Sequence, residues 1–292
     1  MAGSYTGYIE NAIVGSQIRL RFDADFDLTN PDRSEFFYAK CGCYGFLFAP
    51  GTPNYDPKAA GPGKVVAKSA NLQELQLNLE FAPSRRFSMF ADVPERSIQF
   101  TGIGGSIPSA TGLGDFRAGF KFGLLASETR YLTFQARAYF PTGHSSAGLG
   151  TNHYSFEPAL VYNQRLAERW TISSQFGDWH PIGGSTGVPT ATTASFAGDI
   201  LKYGLGASYD LTPRSTYAVT PVFEMVGWSV LSGFVTNSPP LLTTSGVNIV
   251  NAKIGARLSF ASHNSIYVGF GHAITRSQWY ADIFRLEYRY VL

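Results

Sequence analysis

Residues 17–28 alternate apolar and polar side chains along the chain. One face of an extended chain receives Ile18, Leu20, Phe22, Ala24, Phe26 and Leu28, and the other receives Gln17, Arg19, Arg21, Asp23, Asp25 and Asp27. The last residues, 284–292, repeat the pattern, with Phe284, Leu286 and Tyr288 opposite Arg285, Glu287 and Arg289. Because successive side chains of a strand point to opposite faces, this period of two predicts β-strands with one apolar and one charged face.

The same alternation predicts about twelve strands, each close to the length that a tilted membrane strand needs. They are 17–28, 72–82, 86–93, 115–125, 131–140, 154–164, 169–179, 199–210, 216–228, 247–260, 265–274 and 279–292. Short polar connections alternate with long ones rich in Gly, Pro, Ser and Thr, which are 29–71, 94–113, 141–153, 180–198 and 231–246. Outer-membrane barrels have short periplasmic turns and longer extracellular loops, so this rhythm predicts antiparallel strands with both termini periplasmic.

Composition favours a membrane barrel over a soluble sheet. The 292 residues are 44% hydrophobic and only 15% charged, against about 25% charged in ordinary soluble domains. No run of about 18 apolar residues could make a spanning helix, and strands can span hydrocarbon only as a closed sheet. We therefore predict one all-β domain over 1–292, a transmembrane antiparallel up-and-down barrel in the outer membrane of a Gram-negative bacterium. Its expected partners are outer-membrane lipid, a small-molecule solute and, during insertion, the barrel-assembly machinery.

The segments outside the strands give further expectations. Residues 1–16 are predicted to be a periplasmic N-terminal segment, and 29–71 the first extracellular loop, which either folds inward as a cap or plug or covers the outer rim. This loop contains Cys41 and Cys43, for which a tight local disulfide is the leading interpretation, because two thiols without a nearby His are too few for structural zinc. The first residues show no basic or apolar leader, so no export signal is recognised in the sequence.

Aromatic residues cluster near the strand ends and suggest two girdles at the lipid headgroups. The set by the short turns is Tyr131, Trp170, Tyr217 and Tyr267, and the set at the other rim is Phe140, Tyr154, Trp179, Trp228, Trp279 and Tyr280. The alternative is that aromatic residues merely favour strands.

If the apolar faces meet lipid, the charged faces line the lumen and any substrate path. These lumen residues are Arg19, Arg21, Asp23, Asp25, Glu74, Glu80, Arg117, Lys121, Arg137, Lys202, Glu224, Lys253, Arg257, Arg285, Glu287 and Arg289. Both signs are present, so we expect no strong ion selectivity, and about twelve strands imply a narrow lumen. An equally weighted interpretation is that these ions pair only to fill the interior. The net charge is only +2, and the sequence contains no cluster of basic residues. No nucleic acid partner is therefore expected.

Three sequence motifs give the chain a resemblance to a known family. They are Gly112-Leu-Gly-Asp-Phe116, Tyr139-Phe-Pro-Thr-Gly143 and the closing 285–292. With them the chain resembles the outer-membrane transporters of the putative MetA-pathway of phenol degradation family. That resemblance implies a barrel of roughly a dozen strands that moves small, often hydrophobic, compounds.

Two other functions compete with a channel or facilitated transporter. One is an outer-membrane lipid hydrolase using Ser145 with His144 or His153 in a Gly-rich loop, although the chain has no His-Glu-x-x-His pair. The other is a sealed structural barrel. The prediction is a non-enzymatic protein with no cofactor and no metal, and the sequence leaves homo-oligomerisation open.

Overall fold

A computed structural model describes residues 4–29, 66–103, 105–183, 197–212, 217–234 and 243–292. Its strands are β1 (Gln17–Leu28), β2 (Val66–Ser84), β3 (Phe87–Ile103), β4 (Ala110–Leu113), β5 (Phe116–Ala126), β6 (Arg130–Phe140), β7 (Tyr154–Arg165), β8 (Trp170–Ile182), β9 (Ile200–Tyr209), β10 (Ala218–Val230), β11 (Asn248–Phe260), β12 (Asn264–Ala273) and β13 (Asp282–Val291). A single 3₁₀ turn covers Ser145–Ala147.

The strands form one closed antiparallel sheet. Consecutive strands pair around the wall, and β13 pairs with β1, which also pairs with β2. The first half of β3 pairs with β5, and its second half pairs with the short β4. Because β4 and β5 pair with the same neighbour, they occupy one position in the wall, and the thirteen strands make a twelve-strand barrel. The predicted all-β, twelve-strand, up-and-down barrel is therefore confirmed. No helix in the described ranges is long and apolar enough to cross a membrane.

Most of the predicted strands agree with the structure to within a few residues, but the first hairpin is longer. Residues 66–71 belong to β2, residues 94–103 belong to β3, and 110–113 form β4. These parts were predicted as loops because their apolar and polar residues do not alternate cleanly. The remainder of the predicted first loop, including Cys41 and Cys43, lies outside the described residues.

The wall has the two faces that the alternation predicted. Ile18 and Leu20 of β1 are 40% and 43% exposed, whereas Arg19 between them is 8% exposed. Leu205 and Ile254 on other strands also face outward and are more exposed, at 63% and 64%. Because the open side chains are apolar and the enclosed ones charged, the outer surface suits hydrocarbon and the interior is polar.

A β-bulge reverses this alternation at the extracellular end of β1. Asp27 has a φ of 52°, and the register of β1 against β2 shifts between Asp25 and Leu28. Phe26 therefore faces outward, while Leu28 turns inward and is buried. The sequence placed Leu28 on the lipid face, and this was wrong because one extra residue in a strand moves all later side chains to the opposite face.

Candidate functional site: the barrel lumen

The structure encloses all of the predicted lumen residues within the barrel. Arg21, Asp25, Arg117 and Lys202 are partly buried, and the other twelve are buried. Asp23 lies opposite Arg285 where the first and last strands meet, and Arg21 lies opposite Glu287. Most of their charges are gathered into three networks, each centred on one or two carboxylates.

The network nearest the short turns is centred on Glu287. Its carboxylate lies 2.8 Å from Arg257, 2.9 Å from Arg289 and 3.8 Å from Arg19. Three guanidinium groups around one carboxylate leave spare donors, and these donors face inward. Arg257 donates to the carbonyl oxygen of Thr6 at 2.7 Å, and Arg289 to that of Ser4 at 2.9 Å.

A second network lies halfway up the lumen and contains Glu74 and Asp23. Glu74 is 2.7 Å from Arg96 and 3.2 Å from Arg117. Asp23 accepts from Nε and Nη2 of Arg285 at 2.6 and 2.7 Å. This two-bond geometry fixes the orientation of the guanidinium, and Nη1 of the same group donates to the carbonyl oxygen of Gly7 at 2.6 Å.

A third network occupies the opposite wall around Glu157. This carboxylate is 2.9 Å from Lys202 and 3.3 Å from Arg137, and it accepts from the hydroxyl of Tyr139. Arg137 also reaches Glu10 at 2.8 Å. A separate pair between β2 and β5 joins Glu80 to Lys121 at 2.9 Å, closer to the short turns.

Residues 4–16, which we call the N-terminal segment, lie inside the barrel rather than below it. The oxygen of Ala12 accepts from Thr133 near the short turns, the backbone rises to Gly7–Glu10 at the middle of the lumen, and it returns to Ser4 beside Arg289. The sequence placed 1–16 in the periplasm, and for the described residues 4–16 this is wrong. The physical reason is that the lumen offers partners for this backbone.

Glu224 holds the top of the N-terminal segment. Its carboxylate accepts from the backbone N–H groups of Tyr8 and Ile9 at 2.9 Å each and from that of Gly7 at 3.3 Å. Glu10 N–H donates to Gln175 at 2.9 Å. Several backbone donors converging on one buried carboxylate satisfy a charge that would otherwise be costly to bury. Glu224 was predicted to lie in the lumen, but the sequence gives no sign that it binds the backbone of the N-terminal segment.

Above the N-terminal segment the lumen wall becomes apolar. Residues from many strands and loops form one buried cluster there, which we call the apolar collar: Leu28, Leu72, Trp179, Ile200, Val226, Trp228, Trp279 and Ile283. A cavity of about 240 Å³ is enclosed by this collar, by the networks of Glu74 and Glu157, and by Tyr8 and Glu10 of the N-terminal segment. It has apolar upper walls and a charged floor.

The collar changes the prediction of aromatic girdles. Trp170, Tyr154 and Tyr217 are half exposed or more at the barrel rims. Trp179, Trp228 and Trp279 are buried in the collar instead, Tyr280 is buried in the same apolar cluster, and Tyr267 is fully buried against the N-terminal segment. Proximity to a strand end does not tell which face a side chain takes, so these residues were wrongly assigned to the lipid side.

The Gly-rich extracellular loop is held by Asp115. Its carboxylate accepts from the N–H groups of Gly143 and Thr151 at 3.0 and 2.7 Å. His153 is buried with Nδ1 on the carbonyl oxygen of Thr151 at 2.9 Å and its ring against Trp179. Burial lowers the pKa of His153 to about 4. Its Nε2 is buried without a hydrogen-bond partner among the described residues.

One described group has ligand types that suit a metal ion. Ligand atoms of Asp178, His180 and Asp199 lie within 4.8 Å of one another at the extracellular rim. Nδ1 of His180 already bonds to Asp199, which also accepts from Ser232 at 3.2 Å. Oδ1 of Asp178 is buried without a hydrogen-bond partner among the described residues.

The closed strand order, the apolar exterior and the charged interior define a Gram-negative outer-membrane β-barrel. The family model described as Putative MetA-pathway of phenol degradation matches residues 95–178, which confirms the resemblance over that part of the chain. No curated protein matches the sequence significantly.

Two solved structures show the same fold. The COG4313 outer membrane channel from Pseudomonas putida F1 is similar with a TM-score of 0.63 and 13% identity, covering 99% of this chain and 100% of its own. The NanC porin is similar with a TM-score of 0.51 and 6% identity, covering 95% of this chain and 100% of its own.

Proposed function

We propose that the protein is a passive channel or facilitated transporter for small solutes that have a sizeable apolar part. The observation that carries this proposal is the cavity between the apolar collar and the charged floor. Three tryptophans on the inner wall give it an apolar surface, and an apolar body is stabilised by leaving water for such a surface.

The size and charge of the lumen limit the solute. A cavity of about 240 Å³ is slightly below the range of about 300–1,000 Å³ that is common for drug-sized ligands. Most of the charges below the collar are paired within the networks described above, so no single-sign field selects ions. These features support uptake of small molecules of roughly one ring.

Passage beyond the cavity requires the N-terminal segment to move, because Tyr8 and Glu10 form part of the cavity floor. The segment is held largely by hydrogen bonds at its backbone, from Glu224, Arg257, Arg285 and Arg289. Such bonds contribute only modestly one by one. In this proposal the docked segment is the closed form and its release is the open form.

The experiment compares the full chain with a variant lacking residues 4–13 in planar bilayers and in liposomes. We expect larger conductance for the variant, and liposome uptake that is faster for toluene or benzyl alcohol than for glucose, after subtraction of the flux through protein-free liposomes. Heat-modifiable migration on gels checks that both barrels fold. If neither protein conducts or takes up any solute, the barrel is sealed and the proposal fails.

We further propose that the protein is not an enzyme. The similarity in fold to the COG4313 outer membrane channel and the NanC porin supports this. Single substitutions of His144, Ser145 and His153 in a detergent assay of lipid deacylation test it. An activity of the full chain that these substitutions abolish would overturn the proposal.

A further inference from the structure

Lys253 and Asp25 lie on one row of residues across four neighbouring strands. Lys253 of β11 pairs with Gly271 of β12, Gly271 pairs with Ile283 of β13, and Ile283 pairs with Asp25 of β1. A methyl group on Gly271 would lie 2.9 Å from Cγ of Lys253 and 2.8 Å from Cγ2 of Ile283. The absence of a side chain at Gly271 therefore lets Lys253 lean across β12 toward Asp25.

The ammonium group of Lys253 is surrounded by aromatic rings. Its Nζ donates to the hydroxyl of Tyr280 at 2.7 Å and lies 3.9 Å from the ring centre of Tyr8 and 5.6 Å from that of Trp228. Lys253 is 4% exposed and lines the cavity. In the described part of the chain no carboxylate oxygen lies within 4.0 Å of Nζ.

The other basic groups that line the cavity are paired differently. Arg21, Arg96 and Arg117 contact Glu74, Arg137 and Lys202 contact Glu157, and Arg285 contacts Asp23. Lys253 has three N–H donors and uses one of them on a protein oxygen. It is therefore a buried cation with donors left over.

The carboxylates near Lys253 explain why it is unpaired. Glu224 is its direct neighbour on β10, but Glu224 accepts from the backbone of the N-terminal segment. Asp23 already accepts hydrogen bonds from Nε and Nη2 of Arg285. Asp25 remains, and its Oδ1 is buried without a hydrogen-bond partner among the described residues.

Tyr8 provides another unfilled group at the same place. Its ring lies between Lys253 and Arg285, 4.2 Å from the guanidinium carbon, and its buried hydroxyl has no hydrogen-bond partner among the residues described. The cavity floor thus offers spare donors on Lys253, an acceptor on Asp25 and a hydroxyl on Tyr8. Buried polar groups usually find a partner, and here the cavity is where that partner would lie.

We propose that Lys253, Asp25 and Tyr8 form a binding site for the hydroxyl group of a small apolar molecule, whose hydrocarbon part lies against the apolar collar. The hydroxyl oxygen accepts from Nζ of Lys253, and the hydroxyl hydrogen is donated to Oδ1 of Asp25. Two atoms that each lie about 2.8 Å from one hydroxyl oxygen can be more than 4 Å apart, as Lys253 and Asp25 are. A hydroxyl is both donor and acceptor, which is the combination that this pair lacks.

Other polar groups fit less well. A carboxylate on the ligand would be attracted by Lys253 but repelled by Asp25. An ammonium group would be attracted by Asp25 but repelled by Lys253. The inference rests on the proposed function, because it names the solute that the same cavity takes. It can nevertheless be tested by binding alone, without transport.

The test measures binding of benzyl alcohol, benzoate and toluene, which share one ring and differ in the attached group. Trp179, Trp228 and Trp279 line the cavity and report binding by fluorescence of the full chain in detergent, with Trp170→Phe removing the remaining, exposed tryptophan. We expect benzyl alcohol to bind about tenfold or more tighter than toluene, as one hydrogen bond to a charged group provides. Benzoate should also bind more weakly than benzyl alcohol.

Variants separate the two polar partners. Lys253→Met should weaken benzyl alcohol binding about tenfold, and Asp25→Asn should reverse the order of benzyl alcohol and benzoate. Gly271→Ala should weaken the binding of benzyl alcohol, because the added methyl group displaces the side chain of Lys253. This variant replaces Lys253→Met in the test if Lys253→Met does not fold. Lys68→Met, at an exposed position outside the cavity lining, should change nothing.

Two results would overturn the inference. Tighter binding of benzoate than of benzyl alcohol to the unmodified protein would define an anion site at Lys253. Binding of toluene at least as tight as that of benzyl alcohol, unaffected by Lys253→Met, would define a purely apolar cavity. Either result leaves liposome uptake intact, whereas loss of uptake with retained selective binding would contradict only the channel function.

Discussion

The α-carbon of Gly7 lies so close to the ring of Tyr267 that an added methyl group would sit 2.0 Å from Cζ of that ring. The ring cannot easily give way, because methyl groups on Gly255 and Gly269 would also lie within 2.6 Å of it. A glycine on the N-terminal segment and two on the wall thus form a slot around one buried tyrosine.

We predict that Gly7→Ala releases the N-terminal segment. Overpacking of this kind costs about 1–3 kcal/mol, which lowers the ratio of docked to released segment about 5- to 150-fold and should raise the open probability in planar bilayers. Gly15→Ala is the matched control, because its added methyl group would meet nothing within 4 Å. Tyr267→Ala in the Gly7→Ala background should restore the closed form, and an unchanged open probability in Gly7→Ala would argue against the docking described.

Glu224→Gln should also favour the open form. The substitution keeps the shape but removes the negative charge that accepts from Tyr8 and Ile9, and hydrogen bonds to charged groups contribute about 1.5–3 kcal/mol. Conductance should therefore rise without loss of the folded barrel. Glu80→Gln removes another buried carboxylate, one whose partners are wall residues including Lys121 and Ser88, and should leave conductance unchanged. Equal effects of the two substitutions would contradict a specific role for Glu224.

The fold could be predicted from the sequence because alternation is a local property. β1 and β13 have apolar residues at every second position, and their pairing follows from the need to close the sheet. Leu28 was misplaced because nothing in the residues around Asp27 announces a bulge. Trp228 and Trp279 were misplaced because apolar residues can face lipid or an apolar lumen, and a single sequence does not distinguish the two.

The interior arrangement was harder to predict because it depends on contacts between distant residues. The N-terminal segment has no alternation and a single charge, Glu10, among residues 4–16. Its docking depends on Glu224, more than two hundred residues away in the sequence. The only available signal was a stretch with several apolar residues, including Tyr8 and Ile9, placed before the first strand, and such a stretch is poorly suited to a free periplasmic tail.

The lipid-facing surface predicts a depth-dependent effect of charge. Ile254 is near the middle of β11 and 64% exposed, so Ile254→Arg should lower the free energy of unfolding in liposomes by about 2–4 kcal/mol. Leu211 is similarly exposed but lies in a short turn, and Leu211→Arg should cost about 0–1 kcal/mol. Urea unfolding followed by tryptophan fluorescence measures both. A cost as large at Leu211 as at Ile254 would place the hydrocarbon belt elsewhere.

The extracellular loop around His153 should loosen in mild acid. Its pKa of about 4 lies below the ordinary value of about 6.5, so between these values the undocked loop binds a proton that the docked loop excludes. The packed form is then fully favoured above the ordinary value and loses stability as the pH falls through this window.

Hydrogen exchange at the amides of Gly143 and Thr151, corrected for intrinsic rates, measures this change between pH 7 and pH 5. Protection should fall at the lower pH in the unmodified protein. His153→Phe keeps a ring against Trp179 without a titrating nitrogen and should remove the dependence. Identical pH profiles for the two proteins would show that His153 is not the group responsible.

The bond from Arg285 to Asp23 joins residues 262 positions apart in the chain, and the ladder between β13 and β1 cannot begin before both strands exist. Until synthesis is complete, the first strand has a free edge with apolar side chains that invite aggregation. The nascent polypeptide must therefore be shielded from the time its first strand emerges until its last one arrives.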